Sequence, residues 1–139
     1  MGKRKVTLDT NILVSALGWK GNPHKILQKV VDGEFDLFMS YAQYEELAKV
    51  LDYPKFGFTE EQKTRFKTLV SRITTSIKTP IELDVVKEDP SDNRILECAL
   101  AADVDFIVSG DEHLLSLETF GRIRIVSARD FLDADRDTG

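Results

Sequence analysis

Short apolar runs alternate with amphipathic stretches along the whole chain. Four runs have the length and residue types of buried strands. They are residues 5–8 (KVTL), 35–39 (FDLFM), 105–109 (DFIVS) and 123–126 (IRIV). The segments between them carry apolar residues at helical spacing. The pattern therefore predicts that strands and helices alternate.

Capping residues locate the predicted helices more closely. Ser40 with Gln43, and Thr59 with Gln62, have the spacing of capping boxes, so each pair predicts the first turn of a helix. After Thr59 the apolar spacing continues to Ile77, which predicts the longest helix of the chain. The other predicted helices begin near Asn11, Pro23, Ser91 and Asp111, and residues 127–132 (SARDFL) predict a last helical turn.

The alternation of strands and helices predicts an α/β fold. Parallel strands need helical crossovers, so we expect a three-layer α/β/α sandwich around a mostly parallel sheet of four to five strands. The two helices predicted between the second and third strands are a helical-pair insertion on this plan. Because no linker or repeat interrupts the chain, we expect one domain over residues 1–133 and a frayed tail over 134–139.

Composition and charge narrow the class of protein. The chain has 139 residues, of which 42% are hydrophobic, and it lacks an apolar run near the roughly 18 residues of a membrane span. Its single cysteine, Cys98, cannot build a disulfide framework or a cysteine zinc site. No apolar signal segment follows the basic start, so we expect a cytoplasmic protein.

The net charge of −5 hides an asymmetry between the two halves of the chain. Residues 1–80 hold 13 basic and 9 acidic side chains, whereas residues 81–139 hold 6 and 15. Carboxylates gathered around cations are one explanation of such an excess, and a solvated acidic surface is another.

The positions of four acids favour the first explanation. Asp9 directly follows the first strand and Asp111 follows the third by two residues, so we expect both at the carboxyl edge of the sheet, where α/β proteins bind ligands. Glu46 and Asp92, near the starts of two helices, can lean toward the same edge. Converging carboxylates repel one another unless cations neutralise them. Oxygen ligands alone favour Mg²⁺ or Mn²⁺, and one or two such ions activating a water against a phosphodiester is the chemistry of many nucleases.

Four segments of the chain resemble, in order, the PIN-domain nucleases, specifically the toxin-like branch paired with antitoxins in bacteria and archaea. They are VTLDTNILVSAL, SYAQYEELAKVL, DPSDNRILECALAADVDFIVSGDEHLL and IRIVSARDFL. The family's four acids match Asp9 in DTN, Glu46 before a leucine, Asp92, and Asp111 in SGD. Glu45 and Glu46 point about 100° apart on a helix, and only this match selects Glu46.

The resemblance implies a metal-dependent endoribonuclease that hydrolyses RNA with a metal-activated water, as the toxin of a type II toxin–antitoxin system. The implied partners are RNA, a small antitoxin and a second copy of the chain in a homodimer. The implied cofactor is one or two Mg²⁺ or Mn²⁺ ions. Relatives often have a further acid two positions after the fourth, where this chain has His113, so the number of ions stays open.

Other residues are candidates for supporting roles. Asn11 and Ser109 can orient carboxylates or a metal-bound water, and Arg94, Lys49 and Lys55 are candidates to contact RNA phosphates. Asp89, before Pro90, is by default a turn residue, and its role is left as structural or accessory. Trp19 has two interpretations, stacking on a nucleobase or packing against the protein.

Two rival functions remain open from the sequence. The first is a non-catalytic module of the same fold that binds RNA or protein, with a metal site weakened at His113. The second is a phosphoacceptor or phosphatase domain with Asp9 as covalent nucleophile. The second is disfavoured because Asn11 stands where such sites place another aspartate.

Overall fold

A six-stranded β-sheet forms the centre of the structure, a computed structural model that describes residues 3–79, 82–87 and 89–138. The strands are β1 (Arg4–Leu8), β2 (Phe35–Ser40), β3 (Thr74–Ile77), β4 (Phe106–Val108), β5 (Thr119–Phe120) and β6 (Ile123–Val126). Their order across the sheet is β3-β2-β1-β4-β6-β5. Neighbouring strands are parallel except β5, which pairs antiparallel with β6.

The helices connect these strands. They are α1 (Thr10–Gly18), α2 (Asn22–Val31), α3 (Tyr41–Leu51), α4 (Glu60–Ile73), α5 (Pro90–Ala102), α6 (Glu112–Leu115) and α7 (Ala128–Thr138), with a 3₁₀ turn at Pro54–Phe56. Both predicted capping boxes, at Ser40 and at Thr59, are present. The four helix starts predicted near Asn11, Pro23, Ser91 and Asp111 agree with the structure to within one residue.

Two hydrophobic clusters cover the two faces of the sheet. Phe106 and Val108 belong to a cluster that includes residues of α1, α2, α3 and α7, whereas Ile107 between them belongs to a cluster with α5 and α6. Alternate residues of a strand point to opposite faces, so helices flank the sheet on both sides. The structure therefore confirms the predicted α/β sandwich with a mostly parallel sheet.

The segment after α4 differs from the sequence prediction. Apolar spacing predicted one helix from Thr59 to Ile77, but α4 ends at Ile73 and the next four residues form β3. Thr74 and Thr75 are β-branched, and the open edge of β2 offers them a parallel partner. With β3 and the two-residue β5, the described sheet has six strands where four to five were predicted.

The end of the chain also differs from its prediction. The sequence predicted one helical turn over 127–132 and a frayed tail over 134–139, whereas α7 continues to Thr138. Asp135 of this helix pairs with Lys29 of α2 at 3.1 Å, which ties the last turns to the fold. Residues 1–2, at the start of the predicted domain, and Gly139 of the predicted tail lie outside the described residues.

None of the described helices combines the length and the apolar character that crossing a membrane requires.

Candidate metal centre

The order of the strands reverses between β1 and β4, and a cleft opens at the carboxyl edge of the sheet there. The chain moves outward from β1 through β2 to β3, and then returns to the other side of β1 to form β4. Open α/β sheets bind ligands at such a point. The cleft has a volume of about 370 Å³, and its lining includes all four predicted acids, Asp9, Glu46, Asp92 and Asp111.

Asp9 is fixed in one orientation at the end of β1. Its side chain caps α1, with Oδ1 accepting a 2.8 Å hydrogen bond from the Ile12 N–H. Oδ2 accepts a hydrogen bond from the Ser109 hydroxyl. Burial raises the pKa of Asp9 above its ordinary value, while the bonds from Ser109 and from the backbone act in the opposite direction. The carboxylate is therefore oriented before any ligand binds.

Ser109 links two of the acids. This fully buried residue donates from its hydroxyl to Asp9, and the same oxygen accepts a 2.9 Å hydrogen bond from the Asp111 N–H. Asp111 then caps α6, because its Oδ1 accepts hydrogen bonds from the N–H groups of His113 and Leu114 at 2.8 and 3.2 Å. The Ser109 oxygen thus connects the Asp9 side chain with the Asp111 backbone, while its role in orienting ligands of a metal stays a prediction.

We expect Ser109→Ala to lower the free energy of unfolding by about 1–3 kcal/mol, since it removes a buried hydroxyl that satisfies two neighbours. Urea denaturation measures the change. Ser116→Ala is the matched control, because the Ser116 hydroxyl bonds the His113 carbonyl at an exposed position. Equal effects of the two substitutions would contradict the linking role.

Asp92 forms the centre of a carboxylate cluster with Asp89 and Asp111. One oxygen from each of the three lies within 4.8 Å of the others. Asp92 is 7% exposed, and its Oδ2 has no hydrogen-bond partner among the described residues. Burial, and then the charges of Asp111 and Asp89, raise the pKa of Asp92 to about 7. A buried carboxylate oxygen without a partner, beside two further carboxylates, is the donor set of a hard divalent cation.

Asp89 is the site residue that the sequence interpretation missed. The sequence predicts only a structural or accessory role before Pro90, whereas the Asp89 carboxylate belongs to the three-acid cluster and lines the cleft. Its carbonyl accepts a 3.0 Å hydrogen bond from the Asp92 N–H at the start of α5. The spacing of three residues from Asp92 was the available signal, because residues at that spacing share one side of a helical turn.

Glu46 and Asn11 lie in the same cleft but outside the three-acid cluster. Glu46 is half-buried on α3, and Asn11 is exposed on the first turn of α1. The side chain of Gln43, one turn before Glu46, is buried and forms the capping box of α3 with Ser40. The cleft therefore has an acidic floor with amide groups around it.

The three basic candidates are in different places. Lys55 lines the cleft, whereas Lys49 and Arg94 are absent from its described lining. The Arg94 guanidinium pairs with buried Glu97 at 2.8 Å and donates to the Leu83 carbonyl at 3.2 Å, so its bonds face the chain that precedes α5. Of the three, Lys55 is the one among the described lining residues of the cleft.

Comparison with known proteins agrees with this geometry. A family model described as "PIN domain" matches residues 5–113. A search of curated proteins finds no match to the chain. The matched range extends from β1 into α6 and contains all five carboxylates that line the cleft. Because the match covers more than half of the residues, the chain belongs to the PIN domain family.

Proposed function

We propose that the protein is a metal-dependent endoribonuclease whose cation is held by Asp9, Glu46, Asp92 and Asp111, together with Asp89. PIN domains are generally metal-dependent nucleases, and the three-acid cluster fits a metal site. The observation that carries the proposal is the Oδ2 atom of Asp92, which is buried in the cleft without a hydrogen-bond partner among the described residues.

The donor set supports Mg²⁺ or Mn²⁺ as the cation. The five lining carboxylates offer oxygen ligands only, and the described lining contains neither histidine nor cysteine. Such a set favours hard cations that share their coordination with phosphate oxygens. When bound, the ion supplies Lewis-acid activation of a water and neutralises charge on the phosphate. One or two ions are compatible with five carboxylates.

The chain's own side chains support hydrolysis of a phosphodiester. Ser109 and the Ile12 N–H hold the Asp9 carboxylate in place, so no reorientation is required when a ligand arrives. Lys55, at the rim of the same cleft, offers a positive charge to a backbone phosphate. Asn11 offers an exposed amide near Asp9 that can bind a coordinated water.

The toxin role is part of the proposal. It is supported by the four ordered segments that resemble the toxin-like branch, and it implies a cytoplasmic protein with a small antitoxin and a homodimeric state. Expression of the chain alone, and together with any small reading frame adjacent to its gene, tests it by cell growth. Growth arrest that the neighbour relieves would support a toxin, and unimpaired growth would contradict it.

Cleavage assays test the nuclease proposal directly. We expect purified protein to cut a mixed-sequence single-stranded RNA with Mg²⁺ or Mn²⁺, to leave it intact in chelator, and to leave the DNA strand of the same sequence intact. The expectation follows because the acids of the cleft need a cation before a phosphate can approach them. Gel analysis of end-labelled strands measures the products and distinguishes internal from terminal cuts.

The outcomes separate the rival functions. Cleavage of DNA as well as RNA would contradict the ribonuclease proposal and leave a general nuclease. Absence of cleavage with either cation, from protein that binds RNA, would favour the non-catalytic module with His113 at the altered position. A phosphoryl group trapped on Asp9 would favour the phosphoacceptor instead.

A further inference from the structure

An aromatic and a basic side chain, two positions apart in the chain, belong to the lining of the acidic cleft. Tyr53 and Lys55 both line it, and Tyr53 is 39% exposed. Lys55 is the only cation among the described lining residues, against five carboxylates. The Lys55 ammonium lies 5.1 Å from the centre of the Phe56 ring. This pair is absent from the four segments on which the family resemblance rests.

The backbone holds this pair on a short, well-defined turn. Pro54 begins the 3₁₀ turn and restricts its own φ angle. The Phe56 N–H donates to the Tyr53 carbonyl at 3.1 Å, and the Gly57 N–H donates to the Pro54 carbonyl at 3.1 Å. Gly57 ends the turn with a φ of 63°, a left-handed conformation that glycine adopts without strain. The backbone at Tyr53 and Lys55 therefore has a defined conformation beside the cleft that both residues line.

A cluster of aromatic rings packs against Phe56, the last residue of the 3₁₀ turn. Phe56 stacks on Phe58 with ring centres 5.6 Å apart, and Phe58 meets Phe66 edge-on at 5.1 Å. Trp19 packs against Phe56 and Phe58 at 5.9 and 5.7 Å, so packing against the protein is the interpretation of Trp19 that its contacts support. At Gly18, a Cβ atom would come within 2.9 Å of the Phe58 ring. Helix α1 thus ends in a glycine where the aromatic cluster needs close approach.

We infer that Tyr53 stacks on a nucleobase of the RNA strand while Lys55 contacts the adjoining phosphate. Proteins that bind single strands combine aromatic stacking faces with cations along the backbone path. A base within a duplex has both faces covered by its neighbours, so only an unpaired base can stack on Tyr53. The inference rests on the proposed ribonuclease function, since it specifies the substrate of the same cleft.

Lys55 supplies the positive charge that a phosphate needs near the carboxylates of the cleft. An RNA strand entering the cleft meets five carboxylates, and the phosphate next to the stacked base needs a cation nearby. Stacking on Tyr53 works without charge and fixes the position of the strand. A strand bound in this way lies beside Asp89, Asp92 and Asp111, where hydrolysis is proposed.

Binding measurements test the inference separately from cleavage. Every protein carries Asp92→Asn, so that the RNA stays intact, and fluorescence anisotropy follows a labelled mixed-sequence strand and its duplex. We expect the parent protein to prefer the single strand and Tyr53→Ala to weaken that binding by roughly tenfold. Tyr53→Phe keeps the stacking ring and should bind like the parent. Tyr41→Ala is the matched control, because Tyr41 is 56% exposed and is absent from the described lining.

A strand with abasic sites distinguishes stacking from a structural role of Tyr53. Without bases to stack, the abasic strand should bind the parent and Tyr53→Ala with equal affinity. If Tyr53→Ala instead disrupts the local fold, its affinity for the normal strand and for the abasic strand should fall by the same factor. Lys55→Ala should weaken binding and reduce its salt dependence, and Lys67→Ala on exposed α4 should do neither.

Three results would overturn the inference. They are absence of single-strand binding by the parent, equal affinity for strand and duplex, and unchanged affinity after Tyr53→Ala. Cleavage is scored separately on protein with Asp92 intact. If Tyr53→Ala weakens binding but the protein with Asp92 intact does not cleave RNA, the proposed function is overturned and this inference is supported. If that protein cleaves RNA but Tyr53→Ala binds like the parent, the proposed function is supported and this inference is overturned.

Discussion

Replacing Asp92 by asparagine is expected to lower RNA cleavage by more than about 100-fold, since even the partners that orient metal ligands typically contribute 10–100-fold. Asp92 is the buried centre of the three-acid cluster. The amide keeps the size of the side chain but removes its charge and one of its two acceptor oxygens. Initial rates with saturating Mn²⁺ measure the loss.

Controls separate this loss from a loss of fold. Asp32→Asn changes an exposed aspartate at the end of α2, and it should cleave like the wild type. Circular dichroism should show the same helix and strand content for both variants. Cleavage by Asp92→Asn within about threefold of the wild type would contradict a metal role for Asp92, because a lost ligand typically has a much larger effect.

The acids at strand ends could be predicted from the sequence because the sheet itself brings them together. Asp9 and Asp111 follow buried apolar strands, and parallel pairing of β1 with β4 places them at one edge. Capping residues likewise predicted the helix starts, since those signals are local. Local signals of this kind are sufficient to predict the helix starts and the position of Asp9 and Asp111 at one edge of the sheet.

Features that depend on distant partners could not be predicted in this way. Residues 74–77 continue the helical spacing of α4, and only the open edge of β2 makes them a strand. Asp89 resembled a turn residue until the start of α5 brought its carboxylate beside Asp92 and Asp111. Arg94 is a different case, because its partner Glu97 lies only three residues along the same helix, and the sequence alone did not indicate that this carboxylate would be buried. For residues 74–77 the decisive partner is a strand more than 30 positions away in the chain, and for Asp89 it includes Asp111.

The metal-free protein is expected to lose stability as the pH rises from about 4 to about 7, because the Asp92 carboxyl, whose pKa is raised by burial and by the charges of Asp111 and Asp89, must then release its proton in the native state. Its pKa is raised from 3.8 to about 7 by burial and by the neighbouring charges. Between these values the native protein keeps a proton that the unfolded chain has released, so the free energy of unfolding falls with rising pH. This contribution is fully present below pH 3.8 and is lost as the pH passes 7.

Asp92→Asn isolates this contribution from those of other groups. Its amide has no proton to lose in this range and can donate to Asp89 or Asp111, so the variant should match the wild type near pH 4 and exceed its stability near pH 8. Mg²⁺ or Mn²⁺ should stabilise the wild type at pH 8 by binding the native state, and the variant much less. Thermal melting in chelator and in each cation measures both effects, with Asp32→Asn expected to follow the wild type. If the melting temperatures of the wild type and of Asp92→Asn change with pH in parallel, the pKa of Asp92 is not raised in the native protein. A wild-type profile that falls with rising pH while that of Asp92→Asn stays flat, together with cation stabilisation of the wild type alone, would show that a buried carboxylate among like charges lowers metal-free stability and holds the cation.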